Sequence, residues 1–329
     1  MEKRKYYSKY DSGMAFCWAI FTPQIFAIIF VSALMIVASM IGQTYESLIE
    51  NLVVNAISIL ISPLAFLTVF YLVNKRKKVD WKSATGFSFK LNWINVIVCI
   101  IISFICVFGV NDFVTLFDVL ISLTGFKGVY ALPLPLTNGW WLVLNLVLLA
   151  VLPAIMEELV FRGIIFNGLK QYGKNIAVFG SALLFALMHG GIEQTIYPII
   201  VGVILGLVML KTNNIVYPII IHFFNNAIVV VYNFIYTLLN GNAMQVYEIT
   251  TMGVISAIVY FIASICVVYA LIKFVIKKQK KVTLNTFEGI DKISIEHNTQ
   301  SNFPNKLLWF GTISGIIFWI IDLISGFGA

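Results

Sequence analysis

Apolar residues in this chain come in long runs that stop at short basic clusters, so that whole segments, and not single helix faces, are lipid-soluble. A membrane crossing takes about 20 such residues. Runs of this kind predict helices near 15–41, 52–73, 93–110, 140–168, 175–190, 195–210, 215–238, 253–275 and 307–327. The fold class expected is all-α, a polytopic transmembrane helical bundle of about 8–9 spans with an intramembrane polar cavity. Segment 111–125 is too short and too polar for a span, and its apolar spacing predicts a separate helix lying at the interface. Pro133 and Pro135 then break the chain ahead of Trp140 and Trp141, an expected interfacial anchor. The longest polar stretch, 282–306, holds Asp291, Glu296, His297 and Pro304 and reads as a cytoplasmic linker to one last helix. Three parts follow: N-terminal transmembrane helices with the interfacial segment (1–139), core helices (140–238), and C-terminal transmembrane helices with the linker (239–329).

Composition agrees with the pattern. The 329 residues are 60% hydrophobic and 11% charged, with a mean hydropathy of +0.93, whereas soluble domains carry about 25% charged residues. The net charge of +7 comes from Lys and Arg set beside apolar runs, as the positive-inside rule requires and as nucleic-acid binding does not. The lipid bilayer is therefore the expected partner, and no nucleic acid is expected. Placing the basic runs (Lys3 to Lys9, Lys75 to Lys78 with Lys82 and Lys90, Lys170 and Lys174, Lys211, and Lys273 through Lys281) on one side lets every span alternate. The loops 111–139 and 239–252, with Asp112, Asp118, Lys127 and Glu248, then fall on the other. This predicts a multi-pass protein of the cell membrane with a cytoplasmic N-terminus. The apolar run from about Gly13 to Gly42 is too long for a signal-peptide core and reads as a retained signal-anchor helix. Cys17, Cys99, Cys106 and Cys266 lie in apolar segments with no CxxC pair, which argues for packing and against a disulfide framework. Gly202 and Gly206 make a small-xxx-small pair, read as close helix packing.

Against this background, Glu157 and Glu158 stand side by side in a membrane segment. A carboxylate there costs roughly 2.5–3.5 kcal/mol on insertion scales and is kept for a partner or a task. On a helix, Glu158 and Arg162 are four apart with the acid N-terminal, the favourable order for an ion pair. Glu157 points about 100° away and is free to act on something else. In a partly dry cavity it can take a proton from water as a general base. The next apolar segments bring His189, then His222 with Asn226 four residues on. One histidine can bind the same water, while the other, with the amide, can meet an oxyanion. The blander reading of each motif is structural, a packed histidine or a helix ion pair. Four polar groups on three nearby spans all need burial or a water-filled cavity, which favours a common site.

The ordered set Glu157-Glu158-x-x-x-Arg162, Phe185-x-x-x-His189 and His222-x-x-x-Asn226 resembles the three motifs of the CPBP family of intramembrane proteases. That family includes the type II CAAX prenyl proteases and bacterial proteins linked to bacteriocin processing or self-immunity. The resemblance covers roughly 140–230 and departs from none of the three motifs. It implies an intramembrane endopeptidase in which Glu157 and His189 activate water, His222 and Asn226 stabilise the oxyanion, and Glu158 and Arg162 shape the site. The implied partner is a peptide or membrane-protein substrate, prenylated or with a leader.

Two matters stay open. Glu157, His189 and His222 could hold Zn2+ with water in the fourth position. HExxH is absent, however, and an asparagine beside the second histidine suits an oxyanion donor, so a metal-free mechanism is favoured. A proton-coupled transporter or a non-proteolytic membrane scaffold could also use intramembrane carboxylates and histidines. Depth raises a difficulty as well. At 1.5 Å per residue, Glu157 lies roughly 26 Å from Trp140, and His189 roughly 22 Å from Lys174. Upright helices would then separate the two, so a single site needs tilt or a deeper Lys174 with a snorkelling side chain, and Gly190, Gly191, Glu193, Gln194 and Thr195 could form a loop lining a cavity within the bundle.

Overall fold

A computed structural model describes residues 4–126, 134–241, 250–277 and 305–328. Residues 282–304 of the expected linker lie outside these, with Asp291, Glu296, His297 and Pro304, as do Lys127, Pro133, Glu248 and the basic run from Lys278 to Lys281. The described regular elements are all helical, apart from one isolated bridge between Arg4 and Val79.

The helices, in chain order, are α1 (Lys9–Ile41), α2 (Tyr45–Ile49), α3 (Leu52–Lys77), α4 (Trp81–Thr85), α5 (Trp93–Ser122), α6 (Gly139–Tyr172), α7 (Ile176–His189), α8 (Ile196–Thr212), α9 (Val216–Asn240), α10 (Thr251–Val275) and α11 (Lys306–Gly328). Seven of them, among the described residues, are long and apolar enough to cross a membrane. All nine apolar runs form helices, but α7 and α8 are only 10–17 residues long, shorter than a full crossing.

Polar chemistry moves two boundaries away from those the apolar runs predict. Helix α1 begins at Lys9, not near 15, because Ser8 and Asp11 form a reciprocal capping box: Asp11 N donates to Ser8 Oγ at 3.3 Å and Ser8 N to Asp11 Oδ2 at 2.8 Å. The expected interfacial helix at 111–125 is not separate. It continues α5 to Ser122 through a π-helical turn at Cys106–Val110, and Phe113 stacks on Phe261 of α10 at 4.3 Å. Asn111 and Asp112 therefore sit within a helix and do not end it. Ahead of α6, the Asn138 side chain caps the backbone N–H groups of Trp140 and Trp141 at 3.1 and 3.2 Å.

Contacts draw the basic segments to one end of the bundle. Asp11 is buried and pairs with Arg4 at 2.8 Å, the Tyr7 hydroxyl donates to Asn74 Oδ1 at 2.7 Å, Lys9 N donates to Gln171 Oε1 at 2.9 Å, and Lys211 Nζ donates to Lys273 O at 2.8 Å. Cys17, Cys99 and Cys106 are buried as packing residues, while Cys266 is exposed, and all four are free thiols.

Two apolar clusters make the core. One gathers α1, α3, α6 and α7 around Phe16, Phe66, Phe161, Phe166 and Phe185. The other gathers α5, α8, α9 and α10 around Ile102, Leu205, Tyr217 and Ile221. Helix α6 packs against α1, α3, α7, α8 and α9 and so stands between the two clusters.

Candidate active site

Glu157 and Glu158 lie in a short α-helical stretch of α6, Leu152–Glu158, between π-helical stretches Leu146–Val151 and Leu159–Ile165. Such widened turns are frequent at functional sites. Because successive residues diverge by about 100° on a helix, the two carboxylates meet different neighbours. Glu158 is fully buried, and its Oε1 lies 2.9 Å from Arg162 Nη1, the expected pair. The same oxygen lies 3.0 Å from His222 Nδ1. Arg162, equally buried, donates from Nη2 to the Gly202 carbonyl at 3.0 Å and lies 4.7 Å above the Phe185 ring.

Gly202 has more than a packing role. A Cβ there would stand 3.0 Å from the Ala182 backbone, so glycine lets α8 close on α7, and in that position its carbonyl receives Arg162. Gly206 has only the packing role, against Val178.

Glu157, His189, His222 and Asn226 all line one cavity of about 380 Å³. Glu157 is 9% exposed, its Oε2 is 4.0 Å from His222 Nε2, and that oxygen is buried without a hydrogen-bond partner among the described residues. His189 Nδ1 lies 2.8 Å from the Phe185 carbonyl. A carbonyl only accepts, so Nδ1 carries the proton and Nε2 is left as the ring's other polar atom. Phe185 packs edge-on to both histidines, 4.7 Å from His189 and 5.9 Å from His222. Asn226 Nδ2 donates to the Leu149 carbonyl at 3.0 Å. Pro153 has no N–H to close the turn onto that carbonyl, so the asparagine amide takes a place the helix leaves open.

The difficulty of depth is met by chain geometry. Helix α7 ends at His189, Gly190 turns the chain at φ +80°, and Gln194 of the following loop lines the same cavity. Two further residues and one contact were not evident from the sequence. Tyr197 and Asn225 line the cavity and bond to each other at 2.7 Å, and His222 and Glu158 meet across 64 residues of chain. Spacing gives no signal for any of these pairings, although Asn225 beside Asn226 hints at a second amide.

A zinc ion would need three clustered donors at about 2.0–2.2 Å from the metal. Among the described residues no three His, Cys, Asp or Glu side chains are grouped in that way, Glu157, His189 and His222 included.

Residues 139–228 match the model of a protein family described as Type II CAAX prenyl endopeptidase Rce1-like. The matched segment contains all three motifs and every cavity residue on α6, α7, α8 and α9 named above. No curated protein and no solved structure matches the chain. Within this multi-pass membrane bundle, the matched segment is similar to the CAAX protease family, whose members are peptidases.

Proposed function

We propose that this chain, similar to the CAAX protease family over residues 139–228, is an intramembrane endopeptidase that works with a glutamate-activated water and no metal. The observation that carries this is the convergence of Glu157, His189, His222 and Asn226 on one cavity.

In this reading a water sits between Glu157 and His189 Nε2. Glu157 takes one proton as the water oxygen bonds to the scissile carbonyl carbon, and the carbonyl oxygen becomes the oxyanion. When the C–N bond breaks, the proton held on Glu157 passes to the leaving amine, so the carboxylate is restored. Asn226 keeps its second Nδ2–H for the oxyanion while the first is held by Leu149 O. His222 presents Nδ1–H to Glu158, so its Nε2 donates to an oxyanion only when the ring carries both protons. The Glu158 carboxylate, anchored by Arg162, is the group that would balance that cation.

The substrate class is a peptide or membrane-protein tail, with a prenylated CAAX end or a leader peptide as specific forms. The basic end of the bundle would face the cytoplasm of a cell membrane and carry the N-terminus on that side. The test is cleavage of a labelled CAAX-tailed peptide by purified protein. Cleavage by the wild type but not by Glu157→Gln supports the reading.

A further inference from the structure

A second cavity, about 490 Å³, opens between α1 and α3, with Tyr45 and Ile49 of α2 on its wall. Ser62 lines both this cavity and the active-site cavity, so the two adjoin at α3. Asn55, Ser58 and Ser62 all line the second cavity, and steps of three and four residues set them in a row along one helix face. That row is roughly 10 Å long at 1.5 Å per residue, the reach of about three residues of extended chain. Gln24 of α1 adds another amide. Beside the row on α3, Pro63 has no N–H, so the Ile59 carbonyl loses its i+4 donor, and both of these residues line the active-site cavity.

A polar row in a lipid-embedded wall discriminates between occupants. A hydrocarbon chain, isoprenoid or acyl, needs no hydrogen-bond partner. An extended polypeptide brings an N–H and a C=O with every residue, and each must be met where water is scarce. Ser58 gives its hydroxyl proton to Asn55 O at 2.7 Å, which leaves its oxygen as an acceptor for an N–H. Asparagine and glutamine side chains offer both donors and acceptors.

We propose that the α1–α3 cavity holds an extended stretch of the polypeptide substrate on one side of the scissile bond. Its main chain runs along Asn55, Ser58 and Ser62 and past the Ile59 carbonyl toward Glu157. The inference rests on the peptidase reading of the first cavity. Main-chain recognition of this kind makes the subsite tolerant of substrate side chains and indifferent to a lipid anchor.

The test is photocapture by the full-length protein in detergent, with p-benzoylphenylalanine placed at Val54 in the groove or at Leu149 in the active-site cavity. The probe is a radiolabelled CAAX-tailed peptide, with and without its farnesyl group. Capture of both forms at Val54 to a similar extent is expected. Asn55→Leu combined with Ser58→Ala should lower that capture and raise KM about 10-fold with kcat nearly unchanged, as loss of ground-state hydrogen bonds does. Capture at Leu149 but not at Val54 overturns the proposal, as does capture at Val54 of the farnesylated form alone, or capture at neither position. Capture at both positions without cleavage by the wild type would remove the peptidase reading and leave the peptide site standing.

Discussion

His222 Nδ1 lies 3.0 Å from Oε1 of Glu158, the same oxygen that receives Arg162 Nη1 at 2.9 Å. One buried carboxylate oxygen therefore orients both a cation and an imidazole. Its position fixes which ring nitrogen of His222 is left for the cavity.

Glu158→Gln tests that link. The amide keeps the volume but loses the charge, and its contacts with His222 Nδ1 and Arg162 can no longer both be charge-assisted. We expect kcat to fall about 10- to 100-fold with a smaller change in KM, because a positioning hydrogen bond is lost and not a substrate contact. An unchanged kcat in a folded protein would show that His222 does not depend on Glu158.

Arg162→Ala should destabilise the fold as well as lower activity. Removing one partner of a buried pair costs about 3–5 kcal/mol by stranding the other, and here the Gly202 carbonyl and the Phe185 face also lose their partner. Arg162→Lys should recover only part of the loss, since an ammonium cannot serve Glu158 and Gly202 as a planar fork does. The checks are yield of monodisperse protein and thermal unfolding in detergent. A wild-type midpoint for Arg162→Ala contradicts the pair's structural role.

Asn226→Ala should cost about 10² to 10³ in kcat with little change in KM, the effect of losing one oxyanion donor. The Leu149 carbonyl also loses its donor, so the thermal midpoint should fall slightly. A rise in KM with kcat intact would reassign Asn226 to substrate binding.

The helices were legible because lipid solubility is written into whole runs, and nine runs became nine helices. Errors arose where polar residues obey another rule. Asn111 and Asp112 read as a helix end, yet a π-helical turn carries α5 past them to Ser122. The apolar run starts the first helix near 15, yet Ser8 and Asp11 cap α1 so that it begins at Lys9. Within the site, the divergence of Glu157 from Glu158 and the reach of Glu158 to Arg162 followed from helix geometry alone. The Glu158–His222 contact, the Gly202 carbonyl under Arg162 and the Tyr197–Asn225 bond did not. Those pairings depend on how α6, α8 and α9 pack, and sequence spacing holds no record of that.

In the proposed mechanism Glu157 moves the proton, and the single-turnover cleavage rate of Glu157→Gln against wild type in metal-depleted detergent reads that step. The substitution keeps size and polarity and removes the proton acceptor. Full wild-type cleavage is expected after verified metal removal, with a rate about 10² or more lower for Glu157→Gln and peptide binding retained. Undiminished cleavage by Glu157→Gln would contradict the glutamate mechanism. Loss of wild-type activity on chelation, restored by added zinc, would contradict its metal-free form.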